Sequence, residues 1–242
     1  MDKEEWQQKG AGHRQRLRDK FLECGMEGFS DAEVLELLLT MGTPRKDCKE
    51  EARALLATFG TLAGVLEAAP AQLQQVPGVG PKNSYAIHFI QGVARRYLKQ
   101  RLAAKQYVRS SAEVSDYLIH AMRDLKREVL MVIYLDASHA IIDSQIVAEG
   151  TLASNTVYPR ELIKPALARH AAALVIAHNH PSGSQTPSAE DRRLTRNLYL
   201  ALSFVNIRLL DHLIVAGSSP PYSFADHGLM SQFAEECAGL LR

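Results

Sequence analysis

His178, Asn179, His180 and Pro181 open a stretch, H-N-H-P-S-G-S-Q-T-P-S-A-E-D, that runs on to Ser188 and Asp191. Two imidazoles and a carboxylate form a ligand set that zinc accepts, and three protein ligands leave a fourth position for water. A water so held is acidic enough to supply a hydroxide nucleophile near neutral pH. The chemistry indicated is hydrolysis at a metal, provided the three side chains converge. A lone H-x-H on a strand is more often structural, and Ser188 with Asp191 alone could be a capping box. Their combination, with Pro181 between, favours the metal. The letters H-N-H do not by themselves make a nuclease. The chain has neither H-E-x-x-H nor the H-x-E with P-C-x-x-C of zinc deaminases.

The surrounding pattern allows convergence. Ala172 to His180 form an apolar run that reads as a buried strand. Alternation puts His178 and His180 on one face, with Leu174 and Ile176. Pro181 suits the strand's end, and a polar loop follows, Ser182 to Thr186. The next segment reads as a helix with Ser188 as N-cap. Asp191 shares its inward face with Leu194, Leu198 and Leu202.

Composition sets the frame. The chain has 242 residues, 46% hydrophobic and 23% charged, enough for one large or two small soluble globular domains. The first ten residues show no apolar core of a signal peptide, and no apolar run approaches a membrane span. Cys24, Cys48 and Cys237 are scattered and form no C-x-x-C, which fits a reducing cytoplasm and argues against a cysteine-based zinc site.

Texture divides the chain into residues 1–106 and 107–242. The first part reads as helices only. D-A-E-V-L-E-L-L-L begins at a capping-type Asp31, E-E-A-R-A-L-L-A-T-F stops at Gly60, and T-L-A-G-V-L-E-A stops before Pro70. The second part alternates strands and helices, which implies an α/β layered domain. Its first strand is V-L-M-V-I-Y-L, and S-Q-I-V-A is a weaker one.

The net charge of +1 conceals an asymmetry, +3 over residues 1–106 and −2 over 107–242. Lys82, Arg95, Arg96, Lys99, Arg101 and Lys105 occur in residues 68–106 with no acid among them. His13, Arg14, Arg16, Arg18 and Lys20 form a second basic cluster. Such patches are an electrostatic footprint for nucleic acid, although charge alone favours a solvated helix face or linker. L-Q-Q-V-P-G-V-G-P-K-N-S resembles a helix-hairpin-helix. There Gly78, Gly80 and Lys82 would approach backbone phosphates at a helix N-terminus. A tight turn between packed helices, or a protein-binding hairpin, fits the same residues.

H-N-H-P-S-G-x-x-x-P-S-x-x-D is similar to the JAMM (MPN+) metalloprotease motif in the form seen in the bacterial RadC family. G-H-R-Q-R-L, L-E-L-L-L, V-P-G-V-G, E-G-T-L, Y-P-R-E-L-I-K-P-A-L and L-L-D-H-L-I-V resemble that family in the same order, over nearly the whole chain. Asn83 departs from it, standing where a small residue is expected. The resemblance implies a JAMM/MPN-type α-β-α layered domain, cytidine-deaminase-like, after a small all-helical helix-hairpin-helix domain.

The resemblance further implies a Zn2+ site of His178, His180 and Asp191, with an upstream glutamate as general base. Glu128, opening the first strand, matches the motif position better than Glu149 in V-A-E-G-T-L. Ser188 matches the serine that supports the oxyanion. The reaction implied is hydrolysis of a peptide or isopeptide bond in a peptide or protein substrate. Asp211 and His212 are candidates to orient the histidines. Two other readings stand beside this one. In one, the protein is a DNA-repair-associated factor that binds DNA weakly and without sequence preference, and its JAMM domain binds rather than cleaves. In the other, it is an interaction module with a structural zinc.

Overall fold

The computed structural model describes residues 3–43, 47–107, 111–150, 157–217 and 219–240; for residues 3–11 and 111 the description covers the backbone alone. Packing divides the chain into two units, residues 1–94 and 95–242. The division falls inside a helix, twelve residues before the change of texture at 106/107. Leu98 and Leu102 pack into the second unit's core, and Arg95 pairs with Asp124 at 2.6 Å, so the helix's last turns belong with the α/β layers.

The first unit is helical: α1 (Lys3–Cys24), α2 (Asp31–Gly42), α3 (Lys49–Phe59), α4 (Leu62–Glu67), α5 (Pro70–Leu73) and the first turns of α6 (Pro81–Leu102). Ser30, not Asp31, caps α2. Its hydroxyl accepts from the Glu33 amide while the Glu33 carboxylate accepts from the Ser30 amide. Asp31 is instead the first helical residue, and its carboxylate accepts from the Leu62 amide at the start of α4. Leu35, Leu39, Leu55, Val65, Leu73 and Ile87 form a core from which water is excluded. Asn83 is buried within this unit, and its carboxamide oxygen accepts from the Thr43 hydroxyl at 2.7 Å. That bond explains how a polar residue is tolerated where a small one was expected.

The second unit carries α7 (Ser111–Met122), β1 (Val129–Leu135), β2 (Ile141–Glu149), α8 (Pro159–Ala168), β3 (Ala173–Asn179), α9 (Ala189–Ser203), β4 (Arg208–Val215), β5 (Tyr222–Ser223) and α10 (Leu229–Cys237). The strands form one mixed sheet in the order β2-β1-β3-β4-β5. β3 and β4 are parallel, and the other pairs are antiparallel. Strands β1 and β3 are buried throughout. Alternation divides their side chains between two cores. Leu130, Val132, Leu174 and Ile176 meet α8, α9 and α10; Met131, Ile133, Val175 and Ala177 meet α7 and the end of α6. The domain is therefore an α-β-α sandwich. Among the described residues no helix is long and apolar enough to cross a membrane.

The turn between α5 and α6 contains Gly78 at φ +84, a conformation that costs any residue with a Cβ. A Cβ there would also lie 2.6 Å from Glu51 Oε1. Gly78→Ala is therefore expected to destabilise the chain by about 1–3 kcal/mol. Gly80→Ala, whose added Cβ meets nothing within 4 Å, is the control. Denaturant unfolding followed by circular dichroism checks this, and equal midpoints for the two variants would refute it.

Candidate metal centre

β3 ends at Asn179, and His180 extends its ladder by one bond, donating its amide to the Val215 carbonyl at 2.9 Å. Both imidazoles reach the same place: His178 Nε2 and His180 Nε2 are 2.8 Å apart. The following loop turns at Gly183 (φ +80) and delivers the chain to α9. There Ser188 is the N-cap and Asp191 completes a capping box. The Asp191 carboxylate accepts from the Ser188 amide and hydroxyl, both at 2.7 Å. Capping thus aims this carboxylate. Asp191 Oδ1 lies 3.1 Å from His178 Nε2, and Oδ2 lies 3.4 Å from His180 Nε2. The three residues form a group that could hold a metal ion.

The hydrogen bonds behind the imidazoles fix where their protons are. The Thr195 hydroxyl has one proton and donates it to the Asp191 carbonyl at 2.6 Å. Its oxygen must then accept from His212 Nδ1, 2.6 Å away. Burial, with the neighbouring His178 adding to it, pushes the pKa of His212 well below the usual histidine range, so the ring is neutral. Its Nε2 is therefore an acceptor and takes the proton of His178 Nδ1 at 2.7 Å. That leaves a lone pair on His178 Nε2. His180 Nδ1 donates to the Ser184 carbonyl at 2.6 Å, which leaves a second lone pair on His180 Nε2.

Two imine lone pairs and a carboxylate thus face one point with no donor between them. Such a group could hold a cation. With ligand bonds of roughly 2.0–2.1 Å, the edges of a zinc tetrahedron are about 3.3 Å, close to these separations. The pKa directions show that the imidazoles and the carboxylate are coupled by charge. The Asp191 carboxylate, with the Ser184 carbonyl and the charge of Glu128 adding to it, raises His180 against the opposing effect of burial. Burial would raise Asp191, but the two histidines and Ser188 outweigh it and hold the carboxyl far below its ordinary range.

Glu128 stands one residue before β1. The β1–β3 register pairs Leu130 with His178, and its continuation sets Glu128 opposite His180. Glu128 is half-buried. Glu149 closes β2, is exposed, and lies 3.7 Å from Arg127 Nη1. His212 reaches the centre, as already traced. Asp211 faces the other side of β4, where it accepts from Ser223 Oγ and from the Ala225 and His212 amides, and among the described residues the hydrogen bonds of the His178 and His180 rings go elsewhere.

Gly78 and Gly80 lie between α5 and α6, and Lys82 is exposed on the first turn of α6. The basic stretch is largely compensated. Arg95 pairs with Asp124, Lys99 with Asp143, and Arg101 and Lys105 with Glu113. Lys82 and Arg96 remain exposed. Of the other cluster, His13 turns inward to Glu36 and Lys20 pairs with Glu33.

Asn179 is the residue whose role the sequence did not disclose. On the face opposite the imidazoles, its Oδ1 accepts from the Val129 amide, and its Nδ2 donates to the Leu125 and Arg127 carbonyls. It therefore clamps the segment that carries Glu128. The signal was its place between two histidines on a strand, which turns it toward the other core. Asn179→Ala should cost about 1–3 kcal/mol for each buried group left unpaired. Denaturant unfolding measures this, and an unchanged midpoint would show that the clamp carries no stability.

The comparisons with known proteins agree with this architecture. The family described as the RadC-like JAB domain matches residues 108–229, and the UPF0758 N-terminal region matches residues 9–85. A UPF0758 protein of Burkholderia cenocepacia (strain HI2424) is 42% identical over 219 residues, covering 90% of this chain and 85% of that protein. One from Burkholderia mallei (strain SAVP1) is 43% identical over 211 residues, covering 87% and 76%. One from Pseudomonas fluorescens (strain SBW25) is 40% identical over 214 residues, covering 88% and 95%. The chain belongs to the RadC family of UPF0758 proteins, with a RadC-like JAB domain behind a helical N-terminal region.

Proposed function

We propose that this protein is a zinc-dependent hydrolase of peptide or isopeptide bonds. The observation that supports this best is the convergence of the His178 and His180 lone pairs with the Asp191 carboxylate beside Glu128. Zinc held by these three residues would polarise a substrate carbonyl and lower the pKa of a water. Glu128 accepts a proton from the attacking water and delivers it to the leaving amine. Its half-buried place opposite His180 supports that role over Glu149, which is exposed beside Arg127. Ser188 orients Asp191 in the resting site. With its hydroxyl turned to the substrate, it donates to the negative charge that develops on the carbonyl oxygen. Thr195 and His212 hold His178 in the tautomer that binds a cation.

Purified protein should carry zinc at this centre, and His178→Ala and Asp191→Ala should each remove about one equivalent, read by elemental analysis. Full occupancy in both variants would sink the assignment. His212→Ala, which unlocks the His178 tautomer, should weaken zinc affinity by roughly 10–100-fold.

The general base is tested separately, on a substrate from a peptide-library screen run with and without chelator. Glu128→Gln should keep its zinc and its fold but lose turnover by roughly 10²–10⁴-fold. Glu149→Gln should cost far less. The reverse ranking would transfer the role to Glu149, and an inert library with zinc-loaded protein would favour a domain that binds without cutting.

A further inference from the structure

A second cluster of histidine and carboxylate ligands lies in the helical unit and shares no residue with the first. His13 comes from α1, Glu36 from α2, and Asp47 from the segment before α3. One ligand atom from each lies within 4.8 Å of the other two. Glu36 is 3% exposed, an unusual place for a glutamate.

The geometry inside the cluster is that of atoms aimed at a shared point. His13 Nε2 and Glu36 Oε1 lie 2.8 Å apart. They are close enough for an ion pair, yet both atoms are sealed from solvent without a well-aligned hydrogen bond. The first centre shows the same signature, ligand atoms 2.8–3.4 Å apart that converge on one point. Asp47 is anchored separately, its Oδ1 accepting from the Lys49 amide at 3.1 Å. Two carboxylates that converge on one imidazole, one of them almost fully buried, place negative charge where a divalent cation would neutralise it.

We propose that His13, Glu36 and Asp47 form a second metal site, which takes a divalent first-row transition ion of mixed nitrogen and oxygen preference such as zinc. One imidazole with two carboxylates suits that class better than calcium or magnesium, which take oxygen alone. Its role is structural. It ties three segments that are separated in sequence, so occupancy contributes directly to folding of this unit. The competing account is a proton shared between the two carboxyls. It also fits the Glu36 carboxyl, which burial raises, with Asp47 adding to the effect and His13 opposing it.

The test uses the full chain carrying Asp191→Ala, which empties the first centre. The protein is stripped with chelator, reloaded with zinc and analysed for metal. Cobalt absorption serves as an independent readout. Asp191→Ala should still hold about one equivalent and should melt at a higher temperature with zinc than without. Adding His13→Gln or Asp47→Asn should remove both the equivalent and the zinc-dependent shift. Asp47 is partly exposed, so its isosteric change serves if the His13 variant fails to fold. No zinc in Asp191→Ala would overturn the proposal in favour of the shared proton. So would retention of the equivalent in both double variants. Failure of the first centre reads differently, as equal metal content in the wild-type chain and Asp191→Ala.

Discussion

The orientation of His178 at the first centre depends on one proton, that of the Thr195 hydroxyl. Because it goes to the Asp191 carbonyl, His212 must donate in turn to Thr195, and His178 must donate to His212. The direction of each bond is forced by the one before it. The relay ends in a lone pair on His178 Nε2 that a buried ring with a free choice of tautomer would not reliably present. Helix α9 therefore supplies the carboxylate and, one turn later, the hydroxyl that sets the relay. Strand β4 carries the relay across, and β3 receives it. The parallel register that sets His212 beside Ile176 is part of this device. A slip of one residue would turn His212 into the opposite core.

The two faces of β3 divide the labour. His178 and His180 face Asp191, and Asn179 between them faces the other way, where it pins the chain leading into β1. Three consecutive residues thereby place the ligands and, through β1, the half-buried Glu128. The capping box of α9 shows the same economy. Capping does not take Asp191 away from the imidazoles, because the bonds that satisfy the helix end also hold the carboxylate toward them.

Period and spacing made the sheet, its flanking helices and the grouping of His178, His180 and Asp191 legible, because each rests on interactions local to a strand or to one strand-loop-helix unit. Apolar alternation marked β3, and the position of Ser188 marked the start of α9. The cap of α2 was misread by one residue, since Asp31 caps as well as serine on propensity and only the backbone decides. The relay was less legible. His212 follows His178 by 34 residues, and Thr195 is an ordinary helix residue until its neighbours are known. Ion pairing was hidden for the same reason. Residues 68–106 contain no acid, yet Arg95, Lys99, Arg101 and Lys105 find acids 8 to 44 residues downstream. Net charge along a sequence therefore overstated the field this helix offers to a polyanion.

The two histidine–carboxylate clusters differ in a way that separates chemistry from structure. At the first, His178 and Asp191 are sealed, but His180 keeps 12% of its side chain exposed, and the charge of Glu128 reaches it. A reacting site needs that combination of an accessible side and a nearby base. At the second, the Glu36 side chain is only 4% exposed and both facing ligand atoms are sealed from solvent. Its three residues come from three segments separated in sequence. A cation there would gain affinity by ordering chain, whereas at the first centre the sheet and the α9 cap have already ordered the ligands. Binding energy at a preorganised site is left to act on substrate, but at an assembling site it is consumed in folding.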